Sequence, residues 1–209
     1  QATLFSKDAE NTFRDLLTKE ANERINKSIE SFLTLLSPHF SSREAHVCLE
    51  YLIRHYKIYQ HNVDAVLECC LPWHDTVAFA RMVQLLSVKG SRWEFLTPVQ
   101  KTGSPLPRGA IAIKCARNFG LLRFICASAR RYAAVAAESS SRGAAPVSAA
   151  TASGRAKLFS FYAAVIVEAL GSLSSASEAL LRVLVPNIIP GLSATRAPEY
   201  QVCGVLSIK

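Results

Sequence analysis

The run Trp-His-Asp at residues 73–75 is the group of residues that most resembles a catalytic site, because it follows the thiols Cys69 and Cys70 closely. A histidine beside a carboxylate and a thiol has the composition of an activated nucleophile. However, neighbours in the chain do not easily form the hydrogen bond that orients a catalytic histidine, and the Leu-Pro pair at 71–72 is typical of a turn between helices. We therefore interpret the run as a packed turn in which Asp75 caps the next helix.

Motifs of the common enzyme classes are absent from the sequence. It contains no glycine-rich phosphate loop, no H-E-x-x-H and no G-x-S-x-G. Its six cysteines have irregular spacing and include no C-x-x-C, so we interpret them as buried free thiols of a reducing compartment. We predict no catalytic residue, no metal site and no cofactor, and a protein that is not an enzyme.

Basic residues dominate the stretch from Lys89 to Arg131, which holds nine Lys+Arg and a single acid, Glu94. Charge of one sign attracts phosphate backbones or acidic protein segments, although a merely solvated helix face gives the same pattern. The stretch lacks the clustered aromatic residues that stack single-stranded bases, so sequence-specific RNA recognition is not expected. The candidate RNA-binding residues are Lys101, Arg108, Lys114, Arg117, Arg123, Arg130 and Arg131.

Three helices are predicted between Leu49 and Leu86, and they must position the residues just described. Apolar residues recur there at the i, i+3, i+4 spacing of one helix face. Asn62 is expected to cap the second of these helices and Asp75 the third. Because no helix of this length buries its apolar face alone, turns of a few residues indicate antiparallel helices stacked side by side.

The rest of the chain is also interpreted as helical. A first helix is predicted over residues 4–19 with Phe5, Phe13 and Leu16 facing inward, and a second from about Asn22. Residues 139–154 hold one valine and no other large apolar residue, which predicts a mobile low-complexity loop.

About ten helices, at one pair per forty or so residues, have the spacing of HEAT repeats. The predicted fold class is an all-α, right-handed α-solenoid of HEAT-like antiparallel helical hairpins. We expect residues 1–209 to form one domain at the N-terminal end of a longer protein. No apolar run reaches the roughly 18 residues that a membrane span needs.

A series of short motifs runs through the central helices in a fixed order. They are E-Y-L-I-R-H at 50–55, I-Y-Q-H-N at 58–62 and L-P-W-H-D-T at 71–76, flanked by L-S-P-H-F at 36–40 and W-E-F-L-T-P at 93–98. Together they resemble the N-terminal domain of the U3 small nucleolar RNA-associated protein ten family. Members of that family are large HEAT-repeat subunits of the UtpA (t-UTP) subcomplex of the small-subunit processome. His55 stands where many relatives have arginine.

This resemblance implies a scaffold subunit of UtpA that acts in early pre-ribosomal RNA processing and in ribosomal RNA transcription. The implied partners are the other UtpA subunits, including β-propeller proteins, with pre-ribosomal RNA and the U3 small nucleolar ribonucleoprotein nearby. It also implies a location in the nucleus and nucleolus, no small-molecule substrate and no membrane. The alternatives are a HEAT-repeat transport adaptor, which a basic surface disfavours, and a solenoid that primarily binds RNA.

Candidate partner-binding residues lie on the first of the three central helices and in the two breaks that follow it. Aromatic residues outside the strict helical core positions are common anchors of protein interfaces. The alternative is that neighbouring helices bury these rings. The candidates are Tyr51, Arg54, His55, Tyr59 and Trp73.

Overall fold

A computed structural model of the chain describes residues 4–5, 13–141, 148–173 and 177–192. All regular elements within these ranges are helices, with no strand among them, which confirms the all-α prediction. The helices form two compact units, Gln1–Pro105 and Leu106–Lys209, where the sequence was interpreted as a single domain. We call them unit 1 and unit 2.

The described part of unit 1 contains six α-helices. They are α1 (Lys19–Leu36), α2 (Arg43–Tyr56), α3 (Ile58–His61), α4 (Val63–Cys70), α5 (Val77–Leu85) and α6 (Thr97–Thr102). Helix α1 packs against α4, and α5 packs against α6. The predicted helical periodicity is confirmed, since Leu49, Leu52 and Phe79 on the predicted inner faces are all buried.

Hydroxyl groups set the starts of the main helices of unit 1. Thr18, Ser42 and Thr76 each accept a hydrogen bond from the backbone N–H three residues later. The predicted cap at Asp75 is therefore wrong by one residue. Asn62 stands at the start of α4 without capping it through its side chain, because that side chain is bonded elsewhere.

The predicted first helix over residues 4–19 is wrong wherever the structure describes it. Residues 4–5 form a turn, Arg14–Leu16 form a single 3-10 turn, and residues 6–12 lie outside the described ranges. Phe13 and Leu16 are 69% and 84% exposed, whereas Arg14 is buried. A polar contact thus holds this segment where an apolar helix face was expected.

Unit 2 contains four helices in its described part. They are α7 (Arg108–Arg117), α8 (Phe119–Ser141), α9 (Ala149–Gly171) and α10 (Glu178–Leu192). Helix α9 packs against α7 and α8, and α10 packs against α8. Tyr132 of α8 and Tyr162 of α9 are buried and stack with ring centroids 5.8 Å apart.

The predicted loop over residues 139–154 is helical at both of its ends. Helix α8 continues through Ser141, and α9 begins at Ala149 after Ser148, whose hydroxyl accepts from the backbone N–H of Thr151. Alanine has the highest helix propensity, so a segment poor in large apolar residues is still able to be helical. Residues 142–147 lie outside the described ranges. Among the helices described, none is both long and apolar enough to cross a membrane.

Candidate interaction surfaces

A buried arginine organises the polar interior of unit 1. Arg14 donates to the side-chain oxygens of Asn22, Asn26 and Asn62 at 3.0, 2.5 and 2.9 Å and to the carbonyl oxygen of Tyr56 at 3.2 Å. These acceptors come from α1, from the end of α2 and from the start of α4. Burial lowers the pKa of Arg14, and neutral amides rather than a carboxylate satisfy its N–H groups.

The Arg14 network was missed by sequence reasoning. The one available signal was the pair Asn22 and Asn26, spaced i, i+4 on one face of α1. Asparagine in a helix interior is unusual because it favours caps and turns, so two on one face indicate a specific partner. The sequence does not indicate that this partner is Arg14.

Asp15, next to Arg14, forms a small exposed charge cluster with the end of α2. Its Oδ2 lies 2.5 Å from Lys57 Nζ, and its Oδ1 lies 4.0 Å from His61 Nε2. The hydrogen bond and charge of Lys57 lower the pKa of Asp15, and Asp15 in turn raises the pKa of Lys57. Lys57 adopts the left-handed conformation (φ 47°) that ends α2 and turns the chain into α3.

Trp73, a candidate partner-binding residue, lies in the core of unit 1. It is 8% exposed, and its indole N–H donates to the carbonyl oxygen of Ser37 at 3.0 Å. The Ser37 hydroxyl donates to the carbonyl oxygen of Cys69 at 2.7 Å. These contacts support the core alternative for Trp73. They also agree with the interpretation of residues 73–75 as a packed turn.

Buried thiols lie just before this turn, at Cys69 and Cys70, and on α7, at Cys115. Burial raises the pKa of the Cys69 and Cys70 thiols far above the usual value, and it raises that of Cys115 to about 12. A thiol held protonated is a poor nucleophile and a poor metal ligand. Within the described residues, no group of three or more His, Cys, Asp or Glu side chains is arranged to hold a metal ion.

Four rings form a partly exposed aromatic patch on unit 1, which we define as Phe5, Phe32, Tyr51 and His55. The centroid of Phe5 lies 5.1 Å from Phe32 and 5.2 Å from Tyr51, and Tyr51 lies 4.3 Å from His55. Phe5 is 47% exposed, and the other three are partly buried. The structure thus brings together two predicted partner-binding residues with a phenylalanine that was assigned to the core.

The remaining predicted partner-binding residues on unit 1 are Arg54 and Tyr59. Arg54 is exposed and forms an ion pair with Glu50 one turn earlier on α2. Tyr59 is partly buried in α3. The assignments of Arg54 and Tyr59 stay predictions.

The candidate RNA-binding residues fall into distinct environments. Arg108 forms an ion pair with Glu168, through Nε at 2.9 Å and Nη2 at 2.5 Å. Arg131 lies over the Phe124 ring at 5.8 Å. Lys114 is partly buried on α7, and Lys101 is exposed at the end of α6 in unit 1.

Arg117, Arg123 and Arg130 differ from Arg108 in their electrostatics. All three are exposed. In the described part of the chain, no carboxylate oxygen lies within 4.0 Å of their guanidinium groups, whereas Arg108 and Arg182 each have such a partner. Among the described residues, their charge is therefore not compensated by an ion pair.

The two units differ sharply in charge. Unit 1 carries 12 Lys+Arg and 12 Asp+Glu, whereas residues 106–209 carry 12 Lys+Arg and only 4 Asp+Glu. The net charge of +8 therefore belongs entirely to unit 2. A surface with this imbalance attracts polyanions.

Comparison with known proteins gives relatives along the whole chain, although no family model matches it. The chain is 35% identical to HEAT repeat-containing protein 1 of Homo sapiens over an alignment of 215 residues, covering 100% of the chain and 10% of that protein. It is 31% identical to the protein of the same name in Danio rerio, with the same coverage. It is 39% identical over 109 residues to U3 small nucleolar RNA-associated protein 10 of Mycosarcoma maydis, covering 52% of the chain and 5% of that protein.

These relatives confirm the resemblance stated on the motifs of residues 36–98, and they confirm the HEAT-type α-solenoid class. The chain spans about a tenth of the length of the relatives that it matches throughout.

Proposed function

Because the chain belongs to the family of HEAT repeat-containing protein 1 and U3 small nucleolar RNA-associated protein 10, we propose that it acts in ribosome biogenesis as a non-enzymatic scaffold. In this proposal it belongs to the UtpA subcomplex of the small-subunit processome, in the nucleolus. It serves early pre-ribosomal RNA processing and ribosomal RNA transcription. Its partners are other UtpA subunits, including β-propeller proteins, with the U3 small nucleolar ribonucleoprotein nearby.

The identity over the whole chain carries this proposal. The described residues add two surfaces suited to assembly: the aromatic patch of unit 1 and the uncompensated arginines of unit 2. Partly exposed aromatic rings are typical anchors of protein interfaces. Helical repeat proteins bind partners along such surfaces without any catalytic group.

A basic RNA-binding module is the second candidate function, and the charge of unit 2 favours it. The excess of basic residues in that unit suits weak, sequence-independent contact with phosphates. The third candidate, a transport adaptor for basic cargo, needs an acidic surface that neither unit's overall charge provides. We propose that the RNA contact supports the scaffold role.

Affinity purification tests the scaffold proposal. The tagged 209-residue chain is expressed in cells, and co-purifying proteins and RNAs are identified. We expect enrichment of UtpA subunits and of U3 small nucleolar RNA, with nucleolar localisation of the tagged chain. Enrichment of nuclear transport receptors in place of processome proteins would contradict the proposal.

A pair of matched variants locates the protein contact. The double substitution Tyr51→Ala and His55→Ala removes two rings of the aromatic patch. Phe13→Ala removes a ring that is 69% exposed but not part of the patch. The patch variant should lose UtpA subunits while the Phe13 variant keeps them. Equal retention by both would exclude the patch as the docking surface.

A further inference from the structure

Helix α8 presents a solvent face on which two arginines lie in register. Arg123 and Arg130 are exposed and seven residues apart, which at 3.6 residues per turn places them on the same side of the helix. Their Cα atoms are separated by about 10.5 Å along the axis, at 1.5 Å per residue. Ala127 and Ala134 lie beside them on this face; Ala127 is partly buried and Ala134 is exposed. We call these four residues the α8 face.

The two guanidinium groups of the α8 face form no ion pair with a described carboxylate, so their positive charge is available to a ligand. In the described part of unit 2, Glu168 is paired with Arg108, and Glu178 is paired with Arg182. No described carboxylate lies within 4.0 Å of Arg123 or Arg130. A phosphate bound here would therefore not have to displace an internal ion pair.

The same face lacks the groups that bind single-stranded bases. None of its four residues is aromatic. Tyr132 is 4% exposed and stacked on Tyr162, and Phe124 is partly buried beneath Arg131. Phe119, at the first position of α8, is partly exposed. Proteins that hold single strands use exposed rings as stacking platforms. Small side chains between arginines instead let a sugar–phosphate backbone approach the helix closely.

We propose that the α8 face binds the phosphodiester backbone of double-stranded RNA without reading its sequence. Arg123 and Arg130 each contact a separate phosphate, since successive phosphates along each strand of a duplex lie closer together than the roughly 10.5 Å that separates these two residues along the helix axis. Arg117, exposed at the end of α7, extends the contact beyond α8. This inference deepens the proposed function and rests on it, because it names the class of RNA that the scaffold touches.

Salt-dependent titration of the 209-residue chain tests the inference. The probes are a labelled RNA hairpin duplex and a polyuridine strand with the same number of phosphates. We expect the duplex to bind at least as tightly as polyuridine. The double variant Arg123→Gln, Arg130→Gln should bind the duplex at least tenfold more weakly. Its log–log salt slope should be shallower by about 1.8, at about 0.9 for each lost phosphate contact.

Two further double variants control for net charge and for side-chain type. Arg24→Gln with Arg81→Gln removes the same charge from exposed positions of unit 1 and should leave both affinity and slope unchanged. Arg123→Lys with Arg130→Lys keeps the charge on the α8 face and should retain most of the binding. Thermal unfolding by circular dichroism checks that each variant is folded.

Several results would overturn the inference. Equal weakening by the two glutamine variants would show that overall charge, not the α8 face, carries the affinity. Tighter binding of polyuridine would point to base stacking elsewhere. Competition by a polyglutamate peptide as effective as that by duplex RNA would indicate an acidic protein partner.

The inference fails separately from the proposed function. If the glutamine variant of the α8 face still co-purifies with UtpA subunits while wild type shows no duplex binding, only the RNA inference is wrong. If duplex binding follows the predicted pattern but no processome protein co-purifies, the scaffold proposal is wrong instead.

Discussion

Unit 1 and unit 2 hold their helices in different ways. Unit 1 has balanced charge, helices of 4 to 18 residues and a buried polar network that joins the segment before α1 to three helices through Arg14. Unit 2 has helices that pack through apolar side chains, together with all of the net positive charge of the chain.

This contrast separates two kinds of binding: specific contact with a protein partner in unit 1, and nonspecific electrostatic attraction in unit 2. Directional hydrogen bonds fix the short elements of unit 1 in one arrangement, and a fixed arrangement is what a protein partner requires. Uncompensated arginines act over several ångströms and tolerate variation in the ligand, which suits a phosphate backbone. We therefore expect substitutions in unit 1 to change stability and partner choice, and surface substitutions in unit 2 to change polyanion affinity.

The largest expected effect is on the core of unit 1. Trp73→Ala removes a buried ring that packs against Phe40 and donates to Ser37 O. It should lower the free energy of unfolding by about 3–5 kcal/mol. Chemical denaturation measures this loss, and hydrogen exchange should locate it in amides of unit 1. A change below about 1 kcal/mol would contradict the core assignment of Trp73.

Arg14→Ala should have the next largest effect. It leaves the side-chain oxygens of Asn22, Asn26 and Asn62 without their buried donor, which we expect to cost about 3 kcal/mol. Arg24→Ala, an exposed arginine of α1, is the matched control and should stay within about 0.5 kcal/mol of wild type. Equal stability of the two variants would mean that the network does not hold unit 1 together.

Much of the fold could be predicted from the sequence, because apolar periodicity records which helix face is buried. Ile29 and Leu33 of α1 and Leu49 and Leu52 of α2 are buried as the pattern indicates. The helix predicted for residues 13–17 was wrong for a physical reason. An apolar pattern does not reveal that a single arginine anchors this part of the chain. Low complexity at 149–154 likewise concealed a helix, because alanine needs no large apolar contact to be helical.

The candidate surfaces were only partly predictable, since their geometry depends on residues far apart in the chain. Phe5 meets Tyr51 across 46 positions, and Arg108 meets Glu168 across 60. No local pattern indicates either contact. The basic character of residues 108–131 was evident from composition, but composition does not separate the paired Arg108 from the uncompensated Arg123.

Tyr51→Ala should affect binding more than stability. The ring is only partly buried and contacts other partly exposed rings, so unfolding should change by about 1 kcal/mol or less. If the aromatic patch anchors a UtpA subunit, affinity for that subunit should fall by roughly 2 kcal/mol. Isothermal calorimetry and denaturation of the same variant separate the two effects. If affinity for the subunit were intact while stability fell strongly, Tyr51 would be a core residue and not an interface anchor.

The smallest expected effect is a dependence of unit 1 on pH through His61. Burial, and then the positive charge of Arg14, lower the pKa of His61 below its usual value of 6.5, while Asp15 partly opposes them and Lys57 adds a small lowering. The unfolded chain therefore binds a proton at a higher pH than the folded chain does. Stability contributed by neutral His61 is fully present above pH 6.5 and is lost as the pH falls through the folded pKa.

Two variants test whether protonation of His61 is coupled to the folding of unit 1. His61→Gln should remove that component of the acid sensitivity, so the difference in unfolding midpoint between variant and wild type should change as the pH falls below about 6.5. Asp15→Asn removes the carboxylate that raises the pKa of His61. This variant should therefore increase the loss of folding stability caused by protonation of His61, and it should extend that loss to lower pH. A constant difference between His61→Gln and wild type across this range would show that His61 does not couple to folding.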